Sequence, residues 1–411
     1  MEKVPQKYLE KVSQLFMPLG KGEKQQFLPG GPTELANLYY EADKEKRQLR
    51  IKLGIDPTST DLHLGHTVCL YLLRRFQEHG HKVVLIIGGF TAMVGDPSGR
   101  NEARPPLTKE EVANNSKTYL EQVKKILSTE KKLFEVVNNY DWLSKLDLKN
   151  VLELAHLVTV NQLIGKEAFG NRIDSKEPLY LHEMLYPILQ GYDSVQVKAD
   201  IEIGGIDQTF NVLFGRHVQK HFKQKPQLVI LNPLLIGLDG KKKMSKTFNN
   251  YISLTDPPNE IFGKAMSIPD DLILSYMNLT DTQVEEMHSF SKQLQDGVNP
   301  RDIKLELAFR LVQQLHNLSE AEKAKKNFIT QFQKNDIPDD IELYCLQEPM
   351  KIIDVMHQAN LVPSKSEAKR LIDGGGVKLN SVKISDPNYV IEEKHKGVVL
   401  QIGKRKFVRI N

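Results

Sequence analysis

Cysteine is almost missing from this chain: Cys69 and Cys345 are the only two among 411 residues. Two thiols so far apart build neither a disulfide framework nor a zinc cluster without other ligands. Cys69 sits in an apolar helical run with Val68, Leu70, Leu72 and Leu73, so it reads as a small core residue. No run of 18 apolar residues occurs, and the N-terminus has no apolar signal stretch. Neither a membrane helix nor export is therefore expected, and a reduced, cytoplasmic protein is. The chain also lacks G-x-x-x-x-G-K-[ST] and G-x-G-x-x-G, so P-loop and NAD-type readings lose support. There is no internal repeat and no low-complexity tract.

The composition that remains is that of a globular protein, 40% hydrophobic and 26% charged, long enough for two or three domains. Its net charge is only +4, but the charge is unevenly spread. Residues 351–411 hold 12 Lys+Arg against 6 Asp+Glu, which leaves the rest slightly negative. A basic tail on a near-neutral body points to a polyanion at the C-terminal end.

Residues 1–48 read as helical and mostly polar, broken at Pro29-Gly30-Gly31-Pro32. Leu49–Ile55 reads as a strand, 64–76 as a helix, and Val83–Ile87 as a buried parallel strand. That β-α-β unit opens a doubly wound sheet. Residues 108–170 read as largely helical, about 179–192 as helix, and Gln196–Glu202 and Gln227–Leu231 as strands. Helix returns over 258–335, and 336–350, with Pro338 and Pro349, reads as a linker. The tail reads as two short helices followed by strands at Val398–Ile402 and Lys406–Ile410.

Two motifs carry chemistry. In Asp61-Leu62-His63-Leu64-Gly65-His66, His63 and His66 share a face of a helix's first turn, which Asp61 can cap. Imidazole N–H groups beside orphan backbone N–H groups suit phosphate oxygens. Taken alone, the pair equally fits surface histidines or a partial metal site; Asp56-Pro57-Thr58 just upstream favours a catalytic loop. The second motif is Lys241-Lys242-Lys243-Met244-Ser245-Lys246-Thr247, set between a buried strand and a helical segment with glycines at 237 and 240. Charge runs are usually solvated loops. A lysine beyond a strand's C-terminal end, however, faces the usual ligand crevice of an open α/β sheet.

His63-Leu64-Gly65-His66 and Lys243-Met244-Ser245-Lys246-Thr247 resemble the HIGH and KMSKS signatures of class I aminoacyl-tRNA synthetases. Gly95-Asp96-Pro97-Ser98-Gly99-Arg100, the run from Tyr186 to Asp193, and Gly204-Gly205-Ile206-Asp207-Gln208 resemble the bacterial tyrosyl-tRNA synthetases in particular. The stretch from Ser364 to Val377 resembles an S4 RNA-binding domain. The resemblance covers nearly the whole chain in order. It implies a Rossmann-like parallel-sheet catalytic domain over 1–257, with a helical insertion at about 115–175 and the KMSKT loop at 239–247. A helical anticodon-side domain over 258–335, the linker 336–350 and a small α+β S4-like domain over 351–411 would follow.

The resemblance also implies roles. His63 and His66 stabilise the transferring α-phosphate of ATP, with Thr58, Lys243 and Lys246 at the leaving pyrophosphate. Gly65 lies against ATP, and Asp207 with the backbone of Gly205 holds the ribose. Asp96, Tyr186 and Gln190 bind the ammonium of L-tyrosine, Gln208 lies near its carboxylate, and Asp193 accepts its phenolic hydroxyl. Tyr186, Gln190 and Asp193 fall at i, i+4 and i+7 on one helix face. Mg²⁺ is expected on the substrate phosphates, with no protein metal site. Lys365, Lys369 and Arg370 on a helix, and Lys378 and Lys383 on a hairpin, are expected to meet tRNA(Tyr) phosphates. A homodimer joined through the insertion is implied. Lys52 departs from the pattern, since many bacterial members carry a tyrosine there; it is expected to pair with Asp193 or to face away. A tryptophan enzyme of the same fold is disfavoured by Asp193 and the S4-like tail. A small HxGH nucleotidyltransferase would lack the KMSKT loop and the tail.

Overall fold

A computed structural model describes residues 4–411 except 16–23, 99–106, 166, 281, 283, 334–340, 347, 381 and 404–405. Gly99 and Arg100 of the glycine loop, and 336–340 and 347 of the expected linker, lie outside the described residues. The chain divides into two compact units, 1–321 and 322–411.

The first unit is built on a six-stranded sheet. Its strands are β1 (Gln26–Leu28), β2 (Arg50–Ile55), β3 (Lys82–Ile87), β4 (Phe134–Asn138), β5 (Ile201–Gly205) and β6 (Leu228–Asn232). The spatial order is β1-β6-β5-β2-β3-β4. All neighbours are parallel except the antiparallel edge pair β1–β6. β3 and β6 are apolar almost throughout because both faces of the sheet are covered, as in doubly wound folds. The order reverses between β2 and β5, and such a switch point opens a crevice at the strands' C-terminal ends.

Several expectations shift. The stretch 108–170 is not helical throughout: it contains β4, whose residues are only partly buried at the sheet edge and so lack a continuous buried apolar run. The N-terminal segment read as helical contributes β1, three residues placed by pairing with β6. Gln196 ends the helix Leu181–Gln196, and β5 begins only at Ile201. Pro187 sits inside that helix.

The second unit has the two short helices expected, Ile352–Gln358 and Lys365–Asp373. A five-stranded sheet follows the order Val382–Lys383, Val377–Leu379, Val399–Ile402, Lys406–Ile410, Leu343–Tyr344. Leu343–Tyr344 pairs in parallel with Lys406–Ile410, so part of the expected linker belongs to this sheet. The core beneath it gathers Ile352, Val355, Met356, Ile372, Val377 and Leu400.

Candidate active site

The loop after β2 and the helix Leu64–Glu78 bring the two histidines together. His63, not Asp61, is the N-cap. The Gly65 N–H donates to His63 Nδ1 at 3.1 Å, and the His63 N–H donates to His66 Nδ1 at 3.2 Å. This is a capping box made of two imidazoles. Asp61 instead accepts from Thr60 Oγ1 at 2.9 Å and from Thr255 Oγ1 at 3.0 Å. The geometry explains Gly65, because a Cβ there would stand 2.9 Å from the His63 ring. Burial, then the neighbouring His66, Lys246 and Lys243, pushes the His63 imidazole down to about 2. His63 is therefore neutral. With Nδ1 accepting, its proton is on Nε2, a donor suited to a phosphate oxygen.

The lysine loop lies against this turn. The Leu64 N–H donates to Ile252 O and the Leu254 N–H to Leu62 O, both at 3.0 Å. Asn250, buried, fastens the loop: its Oδ1 accepts from the Ser245 N–H at 2.8 Å, and its Nδ2 donates to Lys243 O at 3.2 Å and Asp239 Oδ2 at 3.0 Å. Lys246 Nζ donates to Ser59 Oγ at 2.9 Å, and burial lowers its pKa. Lys243 Nζ pairs with Asp207 Oδ2 at 2.9 Å, which joins the expected phosphate lysine to the expected ribose acid. Thr58 is half-buried on the loop after β2, its N–H donating to Asp56 O at 2.8 Å. Gly205 ends β5, and Asp207 follows two residues on in a short 3-10 turn that begins at Ile206.

A polar line runs from the same crevice toward the helix Leu181–Gln196. Tyr186 Oη donates to Asp56 Oδ2 at 2.9 Å, and burial beside Asp56 and Asp96 raises its pKa. Thr91 Oγ1 donates to Asp56 Oδ1 at 2.7 Å, and Asn139 Nδ2 donates to Thr91 Oγ1 at 3.0 Å. Asn139 Nδ2 also donates to Asp193 Oδ2 at 3.1 Å, while Trp142 Nε1 donates to Asp193 Oδ1 at 2.8 Å. Asp193 is 3% exposed, and burial pushes its carboxyl up to about 7 against the opposing pull of Lys52, Asn139 and Trp142. Gly88 lets the backbone pass this line, since a Cβ there would overlap Asp56 Oδ1. Gln208 Nε2 donates to Asp96 Oδ2 at 2.7 Å, so these two expected residues also meet.

Lys52 does not pair with Asp193. It is fully buried and pairs with Glu202 at 2.8 Å. Among the described residues, no group of three or more His, Cys, Asp or Glu side chains could hold a metal ion.

A family model described as class I tRNA synthetases (W and Y) matches residues 44–333. A second, the Tyrosine--tRNA ligase SYY-like C-terminal domain, matches 329–410. The Tyrosine--tRNA ligase of Mannheimia succiniciproducens is 45% identical over 368 residues, 89% of this chain and 92% of that one. Its counterpart in Thermotoga maritima is 46% identical over 370 residues, 90% and 92%. The chain belongs to the tyrosine–tRNA ligase family.

Two solved structures share the fold. The C-terminally truncated mitochondrial tyrosyl-tRNA synthetase of Aspergillus nidulans matches with a TM-score of 0.62 and 20% identity, covering 79% of this chain and 94% of that one. The Archaeoglobus fulgidus tyrosyl-tRNA synthetase complexed with L-tyrosine matches at 0.61 and 21%, covering 77% and 99%. At that identity the likeness carries the fold alone.

Within this tyrosine–tRNA ligase fold, Asn139, Trp142, Thr91, Ser59, Asn250 and Glu202 join the site without having been singled out in the sequence. Trp142 had one available signal: it is the only tryptophan of the chain. The others are ordinary polar residues, and apart from Asn250, which bonds within its own loop, each has a partner distant in sequence. In the second unit, Ser364 caps the helix carrying Lys365, Lys369 and Arg370. Lys365 pairs with Asp354 and Arg370 with Glu367, each at 2.7 Å, and these two and Lys369 are all exposed. Lys378 and Lys383 are register partners across an antiparallel pair. Like charges placed opposite each other cost stability, which an anionic ligand would relieve.

Proposed function

We infer that this protein is a tyrosine–tRNA ligase that joins L-tyrosine to ATP, releases pyrophosphate, and passes the tyrosyl group to the 3′-terminal adenosine of tRNA(Tyr). The observation that carries the choice of amino acid is Asp193, a nearly sealed carboxylate held by Asn139 and Trp142. A phenolic hydroxyl can donate to it; the ring of phenylalanine would leave it desolvated with no gain.

The substrate carboxylate is already ionised and attacks the α-phosphorus without a general base. A carboxylate O–P bond forms while the bond to the pyrophosphate oxygen breaks. Catalysis then consists of alignment and stabilisation of developing charge. His63 and His66 donate to the α-phosphate, and Thr58, Lys243 and Lys246 take the leaving pyrophosphate. Gly65 admits the nucleotide, and Asp207 with the Gly205 backbone receives the ribose. Asp96, Tyr186 and Gln190 hold the ammonium, and Gln208 lies near the carboxylate. Mg²⁺ arrives on the phosphates.

The domain reading is a catalytic domain over 1–257, a helical anticodon-side domain over 258–335, and an S4-like C-terminal domain whose sheet takes in Leu343–Tyr344 of the stretch 336–350. Lys365, Lys369, Arg370, Lys378 and Lys383 meet tRNA phosphates. A homodimer is favoured by apolar side chains that the helices after β4 leave in solvent, including Leu148, Leu152, Val160 and Leu181. Such an enzyme works where its tRNA is, in the cytoplasm. The test is ATP–pyrophosphate exchange: dependence on L-tyrosine is expected, and dependence on tryptophan instead would overturn the assignment.

A further inference from the structure

Strands β2 and β5 each carry one charged residue into the core. Lys52 and Glu202 are register partners across this parallel pair, and both are sealed from solvent. Besides its 2.8 Å contact with Glu202 Oε1, Lys52 Nζ donates to the Gln190 main-chain carbonyl at 3.0 Å and to Ser194 Oγ at 2.8 Å. Glu202 in turn accepts from Gln190 Nε2 at 3.2 Å, from Ser194 Oγ at 3.2 Å and from Gln227 Nε2. An ionised carboxylate only accepts hydrogen bonds. The contact therefore decides which way the Gln190 amide faces: its NH₂ toward Glu202, its oxygen elsewhere. That oxygen, Oε1, is buried and has no hydrogen-bond partner among the described residues. A buried acceptor without a donor is costly, and the group that suits it is a hydrogen-bond donor such as an ammonium.

We propose that Glu202 and Lys52 are positioning residues for amino-acid recognition. Glu202 holds the Gln190 amide in the one orientation that offers its oxygen to the substrate's α-ammonium. Lys52, 2.8 Å from Glu202 Oε1 and donating to the Gln190 carbonyl, holds that carboxylate against the Gln190 amide in the core. The proposal rests on the reading of Gln190 as an ammonium contact. An ion pair that served only stability would have no reason to hold both the main chain and the side-chain amide of the same helical residue.

The test measures binding of two ligands to the full chain: L-tyrosine, and 3-(4-hydroxyphenyl)propionate, which keeps the phenol and carboxylate but lacks the ammonium. Glu202→Gln frees the amide to turn. It is expected to weaken tyrosine about tenfold and to leave the desamino ligand within about twofold. In a Gln190→Leu background the same change is expected to add nothing for either ligand. Thermal unfolding reports whether Glu202→Gln folds. If it does not, Lys52→Met/Glu202→Met, which strands neither charge, carries the same comparison. Equal weakening of both ligands, no weakening of tyrosine, or full additivity with Gln190→Leu would overturn the positioning role. A Gln190→Leu variant that separates the two ligands while Glu202→Gln does not overturns that role alone. A Gln190→Leu variant that weakens both alike removes the ammonium contact itself, and this proposal with it.

Discussion

Falling pH is expected to disable tyrosine recognition through Asp193. Burial pushes this carboxyl up to about 7, although Trp142 and Asn139 donate to its two oxygens. The phenol needs the ionised form as acceptor. With a midpoint near 7, the ionised fraction drops from about nine-tenths at pH 8 to just under one-tenth at pH 6, so kcat/KM for tyrosine falls about tenfold. Trp142→Phe removes one N–H donor to the charged form. A hydrogen bond to a charged group contributes about 1.5–3 kcal/mol, so the midpoint rises by about 1–2 units and kcat/KM at pH 7 falls about 5- to 50-fold. The assay is pyrophosphate exchange at limiting tyrosine from pH 6 to 9, with a parallel series at limiting ATP as control. A tyrosine profile that is flat from pH 6 to 8, or a Trp142→Phe profile that superimposes on the parent's, refutes the reasoning. The same shift has a consequence for stability. The folded state holds this proton to higher pH than the unfolded chain, so Asp193's contribution is full below about 4. It is lost as pH rises through about 7, at no more than about 1.4 kcal/mol per pH unit.

Three further outcomes are expected. Lys52→Met removes one partner of a buried ion pair and should cost about 3–5 kcal/mol in denaturant unfolding, most of it recovered in Lys52→Met/Glu202→Met; no loss in the single variant would show that the pair does not matter to stability. His63→Asn keeps an N-cap acceptor, so stability should stay within about 1 kcal/mol while the exchange rate falls about 100-fold or more; a parallel loss of both would make His63 a structural cap only. Lys369→Glu/Lys378→Glu/Lys383→Glu should weaken tRNA charging and flatten its salt dependence while sparing pyrophosphate exchange, and unchanged charging would remove these lysines from the RNA surface.

The parts of the site legible in the sequence were those whose chemistry is local. His63 and His66 face each other because a helix's first turn places residues three apart on one side. Tyr186, Gln190 and Asp193 share a face for the same reason. β3 announced itself by a continuous apolar run, since a strand covered on both faces needs one, and β2 by the alternation of Leu49, Ile51, Leu53 and Ile55. β1 and β4 did not: edge strands need little burial, and β1 spans three residues whose state is set by β6. Asp61 looked like the cap because it is the residue type that usually caps, but the imidazole two positions on took that place.

From the sequence came the order of the parts and, through the family its motifs resemble, the expected reaction; spacing along one helix or one loop accounts only for the groups within each motif. Tertiary structure alone decided what each charge faces. Lys52 and Glu202 are distant in sequence and look like solvated residues; only the pairing of β2 with β5 makes them neighbours in a sealed core. Asn139 and Trp142 reach Asp193 only because β4 delivers them beside the helix Leu181–Gln196. Burial sets the protonation of His63 and Asp193, and burial is a property of the folded packing that local sequence does not carry.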